Sequence, residues 1–215
     1  MLRSRVGPLL RNAGFTGTAP TWCLRSALGD YAVVNFARSR WNTADEVRFD
    51  VNLGLAPRAW WSFSTRFLLD RAPKTPRVHD GLFDKRCHPE RRYPDWRHPV
   101  LGRDGWVVRD AASAEVCAEV LCDELTSVVI PELLALQDRA TLIATLRAEA
   151  DDWGVAAWYR LPRKVAVALV MVDDGPSPDI AEAIHIVRSL PAGRFEARDA
   201  LLDVLIHAQT PNSVT

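Results

Sequence analysis

Residues 33–54 read VVNFARSRWNTADEVRFDVNLG, and this stretch decides the fold. In its second half, residues 47–53, the odd positions are apolar and the even positions are Arg48, Asp50 and Asn52. A period of two held over such a run is typical of a strand with one buried face and one face in water. The first half continues a run, residues 31–36, that is rich in aromatic and β-branched residues and also favours a strand. The stretch therefore predicts two strands joined by a polar connection.

The neighbouring sequence extends this pair of strands into a sheet. Residues 21–26 alternate between apolar and other side chains, and short strands are also expected at residues 78–83 and 106–109. Short connections between the first three strands predict an antiparallel meander. We therefore expect an α+β fold, in which an antiparallel sheet of four to six strands, built mainly from residues 20–110, is covered by helices.

The helices are predicted from apolar residues at helical spacing and from their stop signals, over residues 3–14, 59–69, 113–136, 138–153, 179–190 and 195–208. Ser113 is the expected N-cap of the long third helix, and Pro131 is expected to bend or break it. Residues 163–172 fit two structures, because their β-branched side chains favour a strand while their context favours a helix. We expect a sheet domain at residues 1–137 and a helical C-terminal extension, residues 138–215, packed on it.

The composition is that of an ordinary soluble globular protein. The chain has 215 residues, of which 48% are apolar and 25% are charged. No apolar run approaches the roughly 18 residues that a membrane span needs. The N-terminal apolar stretch is too short and too interrupted for a signal peptide. The four cysteines form no CxxC pair and are expected to be small buried hydrophobic residues. These features predict a cytoplasmic protein.

The net charge is zero, but the charges are unevenly divided along the chain. Residues 1–109 contain 19 Lys and Arg against 10 Asp and Glu, whereas residues 110–215 contain 8 against 17. Such a division indicates either a basic surface for an anionic partner or two halves that attract each other. Because 24 of the 27 basic residues are Arg throughout the chain, the bias is better explained by genome composition than by nucleic-acid recognition.

The sequence contains none of the standard catalytic or nucleotide-binding signatures, GxGxxG, the P-loop, HExxH or GxSxG. A metal site could be drawn from Cys87, His88 and His98, but adjacent residues seldom point at one ion, and a solvated loop explains them better. We therefore predict no catalytic residue, no metal site and no cofactor.

The connection between the two strands of the opening stretch is the candidate site. Arg can bind a carboxylate or phosphate through two parallel hydrogen bonds, and Trp can anchor an interface. One interpretation is a surface that recognises an anion or a peptide. In the other, the Trp folds back over the sheet edge while the arginines pair with Asp45, Glu46 or the acidic C-terminal helices. The candidate residues are Arg38, Arg40, Trp41 and Asn42 in the connection, with Arg48 and Asn52 on the polar strand face.

Several segments together resemble the domain-of-unknown-function family 4304 (DUF4304). The run GPLLRNAGF at residues 7–15, a following strand and the opening stretch have that family's order of helix, turn and strands. The matching positions include Asn35, Ser39, Arg40, Trp41 and Asn42, whereas Ala37 stands where the family often has Gln. The resemblance covers about residues 5–150 and implies the fold, but the family has no established activity, cofactor or catalytic residue to transfer.

Three functions remain open at the level of sequence. The first is a non-catalytic, cytoplasmic protein that binds an unidentified protein partner, of the accessory or immunity type found in bacterial conflict loci. The second is an enzyme or binding module for a small anionic ligand, held over Arg38, Arg40, Arg48 and Asn52. The third, nucleic-acid binding through the basic N-terminal half, ranks last. The oligomeric state is left undetermined.

Overall fold

A computed structural model describes residues 1–69, 73–87, 101–102, 105–148, 153–156, 161–191 and 197–210. The strands are β1 (Thr16–Thr18), β2 (Thr21–Arg25), β3 (Tyr31–Arg38), β4 (Val47–Ala56), β5 (Phe83–Cys87), β6 (Leu101–Gly102), β7 (Gly105–Val108) and β8 (Gly154–Val155). They form a sheet that is antiparallel at every pairing, in the order β1-β2-β3-β4-β5-β8, with β7 pairing with both β4 and β6.

The α+β class and the antiparallel meander are confirmed, because β2, β3 and β4 pair in sequence order. In the described part of the chain, β6 and β8 are two-residue pairings, and the other six strands match the upper end of the expected number. The strand expected at residues 78–83 is wrong. Val78–Asp80 is a 3₁₀ turn in which the Asp80 carboxylate accepts the Arg77 backbone N–H at 2.8 Å, so pairing begins only at Phe83.

The helices begin with a π turn at Leu2–Val6 that runs into α1. They are α1 (Gly7–Asn12), α2 (Arg58–Phe67), α3 (Ala111–Glu124), α4 (Ile130–Ala135), α5 (Arg139–Ala148), α6 (Arg163–Met171), α7 (Pro178–Ser189) and α8 (Arg198–Gln209). The ambiguous residues 163–172 are therefore mostly helical. All six side chains from Val165 to Val170 are buried, which removes the polar positions that would have marked a helical period.

The long helix predicted at residues 113–136 is present but divided. A π turn at Leu125–Val129 separates α3 from α4 just before Pro131, which has no N–H to donate and whose ring would clash with the preceding turn. Its N-cap is Asp110 rather than Ser113. The Asp110 carboxylate accepts the Ser113 backbone N–H at 2.7 Å, and Ser113 Oγ accepts the Asp110 N–H at 2.9 Å, which together form a capping box.

One continuous hydrophobic core lies between the inner face of the sheet and the helices. It includes four fully buried tryptophans, Trp22, Trp60, Trp106 and Trp153. None of the helices in the described part of the chain has the length and apolarity that crossing a membrane requires.

A buried ion pair connects the β2–β3 turn to the C-terminal helices. Arg139, at the start of α5, donates through Nη2 to both carboxylate oxygens of Asp30 at 3.0 Å and through Nη1 to the Val170 carbonyl of α6. Asp30 also accepts the Arg58 backbone N–H at 2.7 Å, at the beginning of α2. A single carboxylate therefore holds three elements in place.

Candidate functional site

The alternation of β4 gives the sheet an outer, polar face. Register places Asn52 opposite Asn35 of β3 and Arg86 of β5, and Asp50 opposite Ala37. Opposite residues in a pair of antiparallel strands share one face. We call this surface the polar sheet face, and its side chains are Asn35, Arg48, Asp50, Asn52, Asp84 and Arg86.

Most charges of the polar sheet face are already paired. Arg48 and Arg109 share the Glu46 carboxylate, and hydrogen bonding from Arg48 is the first cause that holds the pKa of Glu46 below its usual range. Arg86 Nη1 lies 3.7 Å from Asp50 Oδ1. The polar sheet face thus offers little uncompensated positive charge to an anion.

The connection between β3 and β4 is held by its own polar side chains. Asn42 Oδ1 accepts the Arg48 backbone N–H at 2.6 Å, and Ser39 Oγ accepts the Trp41 backbone N–H at 3.1 Å. The Ser39 N–H donates to the Arg48 carbonyl at 2.9 Å, and the Thr43 N–H donates to the Glu46 carbonyl at 3.0 Å. Asn42 and Ser39 are therefore accounted for by the shape of the loop. We call residues 38–43 the hairpin tip.

Trp41 stands out from the hairpin tip. Its exposed fraction is 72%, the highest among the exposed large hydrophobic side chains of the described residues. The guanidinium of Arg40 lies over the indole ring, with Cζ 5.0 Å from the ring centroid. An exposed tryptophan on a hydrogen-bonded loop offers a large apolar surface whose burial by another molecule would be favourable.

The six residues predicted for the site do not converge on one cavity. Arg38 lies opposite Phe49, on the side of the sheet that carries the core, at the solvent-exposed end of β3. Arg40, Trp41 and Asn42 belong to the hairpin tip. Arg48 and Asn52 lie on the polar sheet face, four positions apart along β4, which corresponds to roughly 13 Å.

Two hollows flank the polar sheet face. One of about 90 Å³ lies beside Trp41 and includes Ser39, Arg48 and Asp50 in its lining. The other, of about 280 Å³, is lined in part by Asn52. Neither Arg38 nor Arg40 lines either hollow. Pockets for drug-sized ligands usually enclose about 300–1,000 Å³. A third cavity, a groove of about 640 Å³, lies between α2 and α8 and is lined in part by Phe67.

Asp84 and Arg86 of the polar sheet face were missed at the level of sequence. Residues 83–87 read FDKRC, so Asp84 and Arg86 occupy alternate positions. Because alternate positions of a strand share a face, this pattern indicates that both side chains lie on the polar face. Burial raises the pKa of Asp84, with Arg86 acting in the opposite direction.

The cysteines show no sign of reactivity where they are described. Burial, followed by the charge of Glu124, raises the pKa of Cys87 to about 12, and burial does the same for Cys117. Of the residues considered for a metal site, Cys87 ends β5, whereas His88 and His98 lie outside the described residues. Within the described ranges, no group of three or more His, Cys, Asp and Glu side chains could hold an ion.

The fold and the site define an α+β protein whose antiparallel sheet carries an exposed, tryptophan-bearing hairpin tip. The chain belongs to the family described as Domain of unknown function (DUF4304), whose model matches residues 6–133. No curated protein and no solved structure matches the chain. The family resemblance predicted from the motifs is thereby confirmed, and the matched residues include all of the hairpin tip.

Proposed function

We propose that this protein is a non-catalytic interaction protein that binds a protein partner through the hairpin tip, with Trp41 as the anchor. The observation that carries the proposal is the 72% exposure of Trp41 on a loop that is fixed by backbone hydrogen bonds to Ser39 Oγ and Asn42 Oδ1. The setting that we propose is the cytoplasm, in an accessory or immunity-like role.

The energetics of interfaces support an anchor of this kind. Trp, Tyr and Arg are the residues most often found at interface hot spots, where truncation to Ala costs about 2 kcal/mol or more. Arg40 and Trp41 provide two of these three types in contact. Because the loop is already ordered, binding would lose less conformational freedom than binding through a flexible segment.

A pocket for a small anionic ligand has weaker support. Arg48 is bound to Glu46 and Arg86 lies close to Asp50, so two of the cations nearest to the hollows are compensated. The hollow beside Trp41 also contains the Asp50 carboxylate, which would repel an anion.

Site-specific photo-crosslinking tests the proposal. A benzophenone amino acid would replace Trp41 in one variant and Phe67 in another, each expressed in the organism that encodes the chain. Phe67 is a matched control, because it is 43% exposed and has Arg66 over its ring at 5.0 Å, on α2 rather than on the hairpin tip.

We expect a defined protein adduct from position 41 that is absent from position 67, and loss of the same partner in pull-downs with Trp41→Ala but not with Phe67→Ala. Adducts of equal identity and yield at both positions would contradict the proposal, as would pull-downs that Trp41→Ala leaves unchanged.

A further inference from the structure

The hairpin tip carries positive charge that the rest of the described structure does not neutralise. The side chains of Arg38 and Arg40 make no ion pair or hydrogen bond within the described residues, and both are exposed. The carboxylate of Glu46, which lies at the base of the connection, is already shared by Arg48 and Arg109. The guanidinium groups of Arg38, at the end of β3, and of Arg40, over the Trp41 ring, therefore remain available to a partner.

The contact between Arg40 and Trp41 leaves the hydrogen-bonding edge of the guanidinium open. The five N–H donors of the guanidinium lie around its edge in one plane, and none of them makes a hydrogen bond within the described residues. These donors match the two oxygens of a carboxylate, which they can bind through parallel hydrogen bonds. The indole thereby fixes the position of a cation that is ready to bind an acidic side chain.

We infer that the partner presents an acidic surface to the hairpin tip, with carboxylates bound by Arg38 and Arg40 where the partner covers Trp41. This inference rests on the proposed function and specifies the chemistry of the partner. Both arginines belong to the hairpin tip, Arg38 at the end of β3 and Arg40 in contact with Trp41. A standard interface of about 800 Å² per partner covers both together with the indole.

The charges around the tip favour protein carboxylates over a nucleic-acid backbone. Nucleic-acid binding depends on several cations that follow a line of phosphates. Here Asp45, Glu46 and Asp50 lie within or beside the connection, where a continuous phosphate chain would meet them. Separate carboxylates on a folded partner can instead be placed at the two arginines and kept away from these acidic groups.

The test uses the full chain and three defined polyelectrolytes, two of them anionic and one, poly-L-lysine, cationic. Poly-L-glutamate, poly-L-lysine and duplex DNA would be titrated separately while the indole N–H signal of Trp41 is followed by proton–nitrogen correlation NMR. The signal is assigned by its absence in Trp41→Phe. The test variant is Arg38→Glu/Arg40→Glu, and the matched control is Arg66→Glu, which reverses an exposed arginine stacked on an aromatic ring elsewhere.

We expect poly-L-glutamate to shift the Trp41 signal in the wild type and in Arg66→Glu, with an effect that weakens as salt is added. The double variant should bind about tenfold or more weakly, because two attractive charges become repulsive. Both changes are at exposed positions, so we expect the double variant to fold, and its own NMR spectrum checks this.

Three results of these titrations would overturn the inference. They are an equal response to poly-L-lysine, an undiminished response in the double variant, and a Trp41 shift with duplex DNA but not with poly-L-glutamate, which would indicate nucleic acid instead. If crosslinking at position 41 identifies a partner that the double variant binds with unchanged affinity, the proposed function stands and the acidic partner surface is wrong.

Discussion

Replacing Arg139 by Met should destabilise the whole chain, because it leaves a carboxylate buried without its cation. Asp30 and Arg139 have side-chain exposures of 6% and 11%. Arg139 supplies both of the 3.0 Å contacts to Asp30, which would keep only the Arg58 backbone N–H. Removing one partner of a buried pair costs about 3–5 kcal/mol. For a chain of this length, that corresponds to a fall in the melting temperature of about 6–20 °C.

Urea denaturation followed by tryptophan fluorescence measures this cost. The matched control is Arg58→Met, which removes an exposed pair with Asp173 at 2.9 Å and should cost about 1 kcal/mol or less. Adding Asp30→Asn to Arg139→Met should recover part of the loss, because it neutralises the stranded charge. Equal losses in Arg139→Met and Arg58→Met, or a further loss on adding Asp30→Asn, would show that the stranded carboxylate is not the cause of the destabilisation.

Three further changes test other parts of the fold. The thiols of Cys87 and Cys117 have a pKa raised from 9.0 to about 12, so the stability that they contribute should be complete below pH 9 and lost as pH rises toward 12. Between these two pH values, urea titrations should show the free energy of unfolding falling by about 1.4 kcal/mol per pH unit for each thiol. Cys117→Ala should remove the contribution of one thiol, and an unchanged slope in this variant would contradict the prediction. Asp110→Ala should cost about 1 kcal/mol by removing the N-cap of α3, measured by urea denaturation, and a neutral result would contradict the capping box. Gly17→Ala should lower the melting temperature, because Gly17 has φ +119° and a Cβ there would lie 2.6 Å from the Thr21 carbonyl oxygen; an unchanged value would contradict this geometry.

The central part of the sheet could be predicted from sequence because its signal is local. The alternation from Val47 to Leu53 determines which side chains of β4 face the core, and short connections determine the pairing with β3. By contrast, β5 pairs with residues of β4 that are distant in sequence, and its Lys85 faces the core side. Lys85 Nζ lies 2.7 Å from Glu132 Oε1, a pairing between residues distant in sequence that no local pattern reveals.

The position of the hairpin connection was predictable from sequence, but the arrangement of its side chains was not. The sequence identified the hairpin connection, yet the loop-forming role of Asn42 and the pairing of Arg48 with Glu46 depend on the geometry of the turn. The exposure of Trp41 could not be predicted either, because a tryptophan in a polar connection can fold onto the sheet or project from it. Its position is settled only by how the surrounding backbone is held.

The most direct test of the central claim is the affinity of the partner identified by crosslinking, measured by calorimetry for the wild type, Trp41→Ala and Phe67→Ala. We expect Trp41→Ala to weaken binding by about 30-fold or more, equivalent to about 2 kcal/mol, and Phe67→Ala to leave the affinity unchanged. Unchanged affinity in Trp41→Ala would contradict the assignment of the hairpin tip as the partner-binding surface.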